Sequence, residues 1–123
     1  MGREPQVHVR RIYDESRRED GYRVLVDRVW PRGLRKDAAR INEWCKQIAP
    51  STQLRQWYQH EPSRFPDFAR RYRAELDDPE RASALEHLRQ VSAEGPLTLL
   101  TATKQIEISQ ATVLAGLLGQ PAT

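Results

Sequence analysis

The chain has 123 residues, the size of one domain, and its 20 Lys and Arg against 17 Asp and Glu leave a formal charge of +3, too mild by itself to argue for nucleic acid. Cys45 is the single cysteine, which rules out an internal disulfide and points to a reducing, cytoplasmic setting. No apolar run reaches the ~20 residues of a membrane span. The opening MGREPQ lacks a signal-peptide core, and Gln6 stands where myristoylation of Gly2 would want Ser or Thr.

The positive charge is nearly all arginine, with lysine only at Lys36, Lys46 and Lys104. A GC-rich genome would produce that bias without any functional demand. Val7-His8-Val9-Arg10-Arg11-Ile12-Tyr13 alternates β-branched and aromatic residues and predicts a first strand. Residues 14–20 form a charged loop, and Asp20-Gly21 is a turn signal. Val24-Leu25-Val26 is a short apolar run bounded by polar residues, as expected of a strand covered on both faces. The loop between these strands is short for a parallel crossover, so a hairpin and a tight loop-only crossover both fit.

The second strand runs into Asp27, Arg28, Trp30, Pro31, Arg32 and Gly33. Pro31 keeps Trp30 extended, and Gly33 allows a tight turn or close ligand approach. Arg28 and Arg32 offer forked donors to an anion, and Trp30 a flat wall. The structural alternative makes Asp27 a brace for these arginines and Trp30 a plug at the sheet edge.

Asp37 can cap a helix to about Ile48, because Ile41, Trp44, Cys45 and Ile48 fall at i, i+3, i+4 and i+7. Cys45 on that stripe reads as core. Pro50 stops this helix and Ser51 caps a short one carrying Leu54, Trp57 and Tyr58, which His60-Glu61-Pro62 breaks. A third helix starts near Pro66 and buries Phe68, Ala69, Tyr72 and Leu76, leaving Arg70, Arg71 and Arg73 on its wet face. Asp78-Pro79-Glu80 starts a fourth, with Ala82, Leu85, Leu88 and Val91 inward and Gly95 closing it. Leu97 to Ala102 is a second buried strand, ended by Thr103-Lys104-Gln105. Ser109 can cap a last helix holding Ala111, Val113, Leu114, Leu117 and Leu118. The result is an α/β fold, a small, mainly parallel sheet flanked by helices, as a single domain over residues 1–123.

A strand leading to a helix start makes an anion site, with Lys104 adding charge and Ser109 marking the helix end. If the two buried strands are parallel neighbours, both loops meet over one cleft at the C-terminal edge of the sheet. No Walker loop, GxGxxG or paired Cys/His spacing appears, so no metal and no cofactor is expected.

With these residues in place, the chain resembles the YeaO-like branch of the domain-of-unknown-function family DUF488. The likeness runs from Val9-Arg10-Arg11-Ile12-Tyr13-Asp14 to the last helix and is densest from Asp20 to Gly33. Ile48-Ala49-Pro50-Ser51, Leu54-Arg55, Trp57, His60, Pro62, Phe68 and Arg71-Tyr72 add to it. It implies an α/β domain with parallel strands, which favours the crossover over the hairpin, and it implies no settled activity. The chain departs from the family where an Asp and a His-Asn pair are usual, at Gln105, Ile108 and Ser109. It departs also at Cys45, usually Leu, and at Phe65, usually Trp.

The leading expectation is a protein binding a small phosphate- or carboxylate-bearing ligand, held by Arg28, Arg32 and Lys104. Asp27 would orient the arginines and Trp30 would pack on the ligand. The alternatives are an enzyme with Asp27 or His60 as general base, and a nucleic-acid-binding accessory protein using the arginine-rich faces.

Overall fold

A computed structural model describes residues 6–119, so the reading of Met1-Gly2 lies outside the described residues. Strands β1 (Val7–Arg11), β2 (Tyr22–Leu25), β3 (Glu43–Trp44) and β4 (Leu97–Thr101) form one sheet in the order β1-β4-β2-β3. Every pairing is parallel. The two hydrophobic runs are central neighbours: Val24 stands opposite Leu99, and Leu25 opposite Leu100. All five residues of β4 are buried, which explains its unbroken apolar run.

The hairpin is excluded. β1 and β2 run parallel and do not pair; β4 lies between them. Residues 12–21 bridge that gap with only a 3-10 turn at Arg18–Asp20. The first strand is also shorter than expected, ending at Arg11, although the Ile12 amide still donates to the Thr101 carbonyl at 2.9 Å.

Side chains alternate between two unequal layers. On one face Val24, Val26, Leu97 and Leu99 join α1 (Thr52–Tyr58), α2 (Phe65–Glu75), α3 (Pro79–Glu94) and α4 (Gln110–Leu118) in the main core. On the other, Ile12, Leu25 and Leu100 are covered by Trp30, Leu34 and Ile41 from loops and by Trp44 from β3. Burying each such aliphatic side chain is worth about 1.5–3 kcal/mol. The helix layer adds stacked aromatics: Tyr58 lies 4.1 Å from Phe68, and Phe68 lies 5.8 Å from Tyr72, centroid to centroid.

The helix expected from Asp37 to Ile48 does not form. Its place is taken by a 3-10 turn at Lys36–Ala38, the two-residue β3, and a second 3-10 turn at Lys46–Ile48. The reason is the open edge of β2. The Asn42 amide donates to the Arg23 carbonyl, the Cys45 amide donates to the Leu25 carbonyl, and the Asn42 side chain accepts from the Arg23 amide, each at 2.8 Å. Arg40, at φ 48, breaks any helix just before. Cys45 and Ile48 are buried in this other geometry too, and Cys45 belongs to the main core.

The remaining starts follow their caps. Ser51 Oγ accepts from the Leu54 amide at 3.1 Å, and Asp78 Oδ1 accepts from the Glu80 amide at 3.0 Å. Pro66 sits in the first turn of α2. Ser109 departs from expectation: it occupies the position before α4, yet its hydroxyl donates to the Ile106 carbonyl at 2.7 Å and makes no cap bond. On α3 the inward line is Ala84, Leu88 and Ser92, so Ala82, Leu85 and Val91 are only half-buried. No described helix is long and apolar enough to cross a membrane.

Candidate functional site

Asp27 follows Val26, whose amide donates to the Leu100 carbonyl at 3.0 Å and carries the pairing past the end of β2. The carboxylate therefore leaves the sheet beside the end of β4. Its Oδ1 accepts from Thr101 Oγ1 and from Gln110 Nε2, both at 2.7 Å. Its Oδ2 accepts from the Ala102 amide at 2.8 Å. Trp44 Nε1 donates to the Asp27 carbonyl at 2.8 Å. Burial pushes the Asp27 carboxyl above the ordinary carboxylate range, while these three hydrogen bonds and the charge of Arg55 pull it back.

Beside Asp27 a cleft of about 490 Å³ opens over the ends of β2 and β4. Arg28 and Val29 line it from the loop after β2, Ala102 and Thr103 from the loop after β4. Arg55 and His60 come from α1 and the turn that follows it, and Gln110 from the first residue of α4. His60 reaches the cleft because Gln59 and His60 are both left-handed, at φ 49 and 54, and swing the chain sharply off α1. The stacked pair Tyr58 and Phe68 supplies apolar wall. Among the described residues no group of His, Cys, Asp and Glu side chains is placed to hold a metal ion.

The expected site residues divide. Asp27, Arg28 and His60 come together in this cleft. Arg32, Gly33 and Lys104 are exposed, and none of them lines it. Trp30 faces the loop-covered side, where it meets Trp44 edge-to-face at 5.4 Å and donates from Nε1 to the Leu34 carbonyl at 2.7 Å. Gly33 takes φ 79 with open space around it, so it serves a turn and no close approach. Ser109 is buried and turned back on Ile106. Asp27 makes no ion pair with Arg28 or Arg32; it ties the two central strand ends together instead.

Sequence reasoning passed over Arg55 as a cationic group of the site. It lines the cleft on α1, one position after the buried Leu54, and its signals in the sequence are that placement on a short helix and the Leu54-Arg55 pair in the family resemblance. Neither Arg28 nor Arg55 forms an ion pair with a described residue, in contrast to Arg10, Arg23, Arg35, Arg70 and Arg81. A second hollow of about 620 Å³ shares Arg28 and adds Lys46, Gln47 and Glu80. Trp57 is half-buried, with the Arg71 guanidinium 4.1 Å from its ring centroid and that of Arg64 5.4 Å away.

A family model described as the inactive DUF488-N3 subclade matches residues 6–123. The uncharacterized protein Rv3073c of Mycobacterium tuberculosis is 49% identical over 118 residues, covering 96% of this chain and 98% of its own length. The uncharacterized protein Mb3100c of Mycobacterium bovis matches to the same extent. The uncharacterized protein YeaO of Escherichia coli is 39% identical over 109 residues, covering 89% of this chain and 93% of its own. No solved structure matches the chain. Through the family model and these relatives, the chain belongs to the YeaO-like DUF488 family.

Proposed function

We propose that this protein binds a small anionic ligand, bearing phosphate or carboxylate, in the cleft over the ends of β2 and β4. The observation that carries the reading is the pair Arg28 and Arg55. Both line one concave space, and neither is held in an ion pair with a described residue, although Arg55 feels the Asp27 carboxylate across the cleft. A guanidinium that faces a cleft without a partner is a ready bidentate site for such a group. His60 adds a third donor at the same cleft. The anion-holding role expected of Arg32 and Lys104 passes to Arg55.

Binding without turnover is the better supported form. The matched subclade is described as inactive, and the carboxylate best placed to act as a base already accepts three hydrogen bonds. A nucleic-acid partner has less support, because Arg64 and Arg71 already sit against the ring of Trp57. We place the protein in the cytoplasm, a reading supported by its lone, buried cysteine.

The test is a thermal-shift screen of nucleotides and sugar phosphates against the wild type, Arg28→Ala and Arg55→Ala. Both arginines are exposed, so the variants should keep wild-type stability within about 0.5 kcal/mol. A stabilising shift in the wild type that both variants lose is expected. Silence across the screen, with both variants folded and unchanged in phenotype, would overturn the reading.

A further inference from the structure

The cleft is not uniformly positive. Asp27 lines it together with Arg28 and Arg55. The three groups bonded to its carboxylate, Thr101, Ala102 and Gln110, are all neutral, and no cationic side chain reaches it in an ion pair among the described residues. A carboxylate offers about four lone-pair positions. Oδ1 uses two and Oδ2 one, so Oδ2 keeps one acceptor position. A bare anion drawn in by the arginines would face this charge. A ligand carrying an N–H donor would satisfy it.

Size and wall chemistry agree. A volume of about 490 Å³ is in the range that encloses a drug-sized molecule, far beyond an inorganic anion. Tyr58 and Phe68, 4% and 1% exposed and stacked on each other, close the floor of the same space with apolar edges. We propose that the ligand is dipolar: an N–H-bearing head received by Asp27 between the strand ends, and a phosphate or carboxylate tail held by Arg28 and Arg55. This inference rests on the anion-binding reading and specifies the other end of the molecule.

Calorimetric titration of the full chain separates the two. The probes are AMP, purine riboside 5′-monophosphate, ribose 5-phosphate and inorganic phosphate. Purine riboside 5′-monophosphate keeps the ring and phosphate of AMP but lacks its amine. AMP should bind about tenfold more tightly than purine riboside 5′-monophosphate, the worth of one hydrogen bond to a charged acceptor. That preference should shrink in Asp27→Asn, which keeps only a neutral acceptor, while ribose 5-phosphate binds at least as tightly once the charge is gone. If Asp27→Asn does not fold, the wild-type ratio alone decides. Equal binding of AMP and purine riboside 5′-monophosphate, or a ribose 5-phosphate affinity matching that of AMP, would overturn the dipolar ligand and leave the anion site standing. Failure of all four phosphates to bind would overturn both.

Discussion

Asp27 Oδ1 accepts the hydroxyl proton of Thr101 at 2.7 Å, so the exit of β2 is fastened to the last residue of β4. Thr101 is fully buried, and its oxygen also receives the Thr103 amide at 3.2 Å. One hydroxyl thus fixes both walls of the cleft. Thr101→Val keeps the shape and removes both bonds. Chemical denaturation should show a loss of about 1–2 kcal/mol, and the Asp27 carboxyl should titrate higher than in the wild type, since a bond that favours its charged form is gone.

Asp27 also sets a pH dependence of known sign. Its folded carboxyl is raised, chiefly by burial, above the value it takes in the unfolded chain. In the window between the two values the folded state binds more protons than the unfolded state. The contribution of Asp27 to stability is therefore full below its unfolded value and is lost as pH rises through the raised folded value. Stability–pH curves of wild type and Asp27→Asn should differ by a step that falls in the wild type across that window. A carbon-13 NMR titration of the Asp27 carboxyl would locate it. A carboxyl titrating at or below its ordinary value would contradict the burial described above.

The polar end of the sheet holds a second anchor. Asp20 is 1% exposed and lies 3.3 Å from Arg23 Nε and 3.1 Å from Arg10 Nε, while Arg23 is itself 4% exposed. Asp20→Ala would leave Arg23 buried without its anion. Breaking a buried pair in this way costs about 3 kcal/mol or more, so urea denaturation should show a large drop in midpoint. A variant within 1 kcal/mol of wild type, a small change on the scale of this effect, would mean that Arg23 finds water instead.

The elements whose cause is local were legible in the sequence. Ser51 and Asp78 cap where their side chains can reach an amide two or three residues on. β4 reads as a strand because every residue in it is buried. Residues 37–48 were not legible, because Ile41, Trp44, Cys45 and Ile48 fit a helical stripe and a strand followed by a turn equally well. What decides between them is hydrogen bonding to Arg23 and Leu25, far away in the chain. Asp20 read as half of a turn signal for the same reason: both its arginine partners lie on strands whose packing is a tertiary matter. At the site, Asp27 and Arg28 stood out by following a buried strand. Arg55 did not, since an arginine beside a buried leucine on a short helix looks like ordinary wet surface until the fold turns it over a cleft.

Two glycines should respond differently to the same change. At Gly21 the backbone is left-handed, φ 64, and an added Cβ would stand 2.2 Å from the Pro96 carbonyl oxygen, which also accepts the Tyr22 amide. Both contacts are backbone, so neither side can move aside cheaply. Gly21→Ala should cost on the order of 3 kcal/mol. Gly33 is equally left-handed but has open space, so Gly33→Ala should cost only about 1 kcal/mol, the conformational penalty alone. Denaturation midpoints of the two variants measure the difference.

Cys45 tests the rearranged segment directly. Its side chain is 1% exposed in the main core, and burial, with the charge of Glu43 nearby, pushes the thiol up to about 11. Thiolate is the reactive form, and at about pH 8 little of it would exist even if reagent could reach it. The native protein should therefore resist a thiol-specific disulfide reagent that labels the urea-unfolded chain at once. β3 pairs with β2 through only two residues, so its edge is the sheet's weakest seam. Fast labelling under native conditions would show that the Glu43–Ile48 stretch opens far more easily than the rest of the core, and slow labelling would put its opening with that of the sheet.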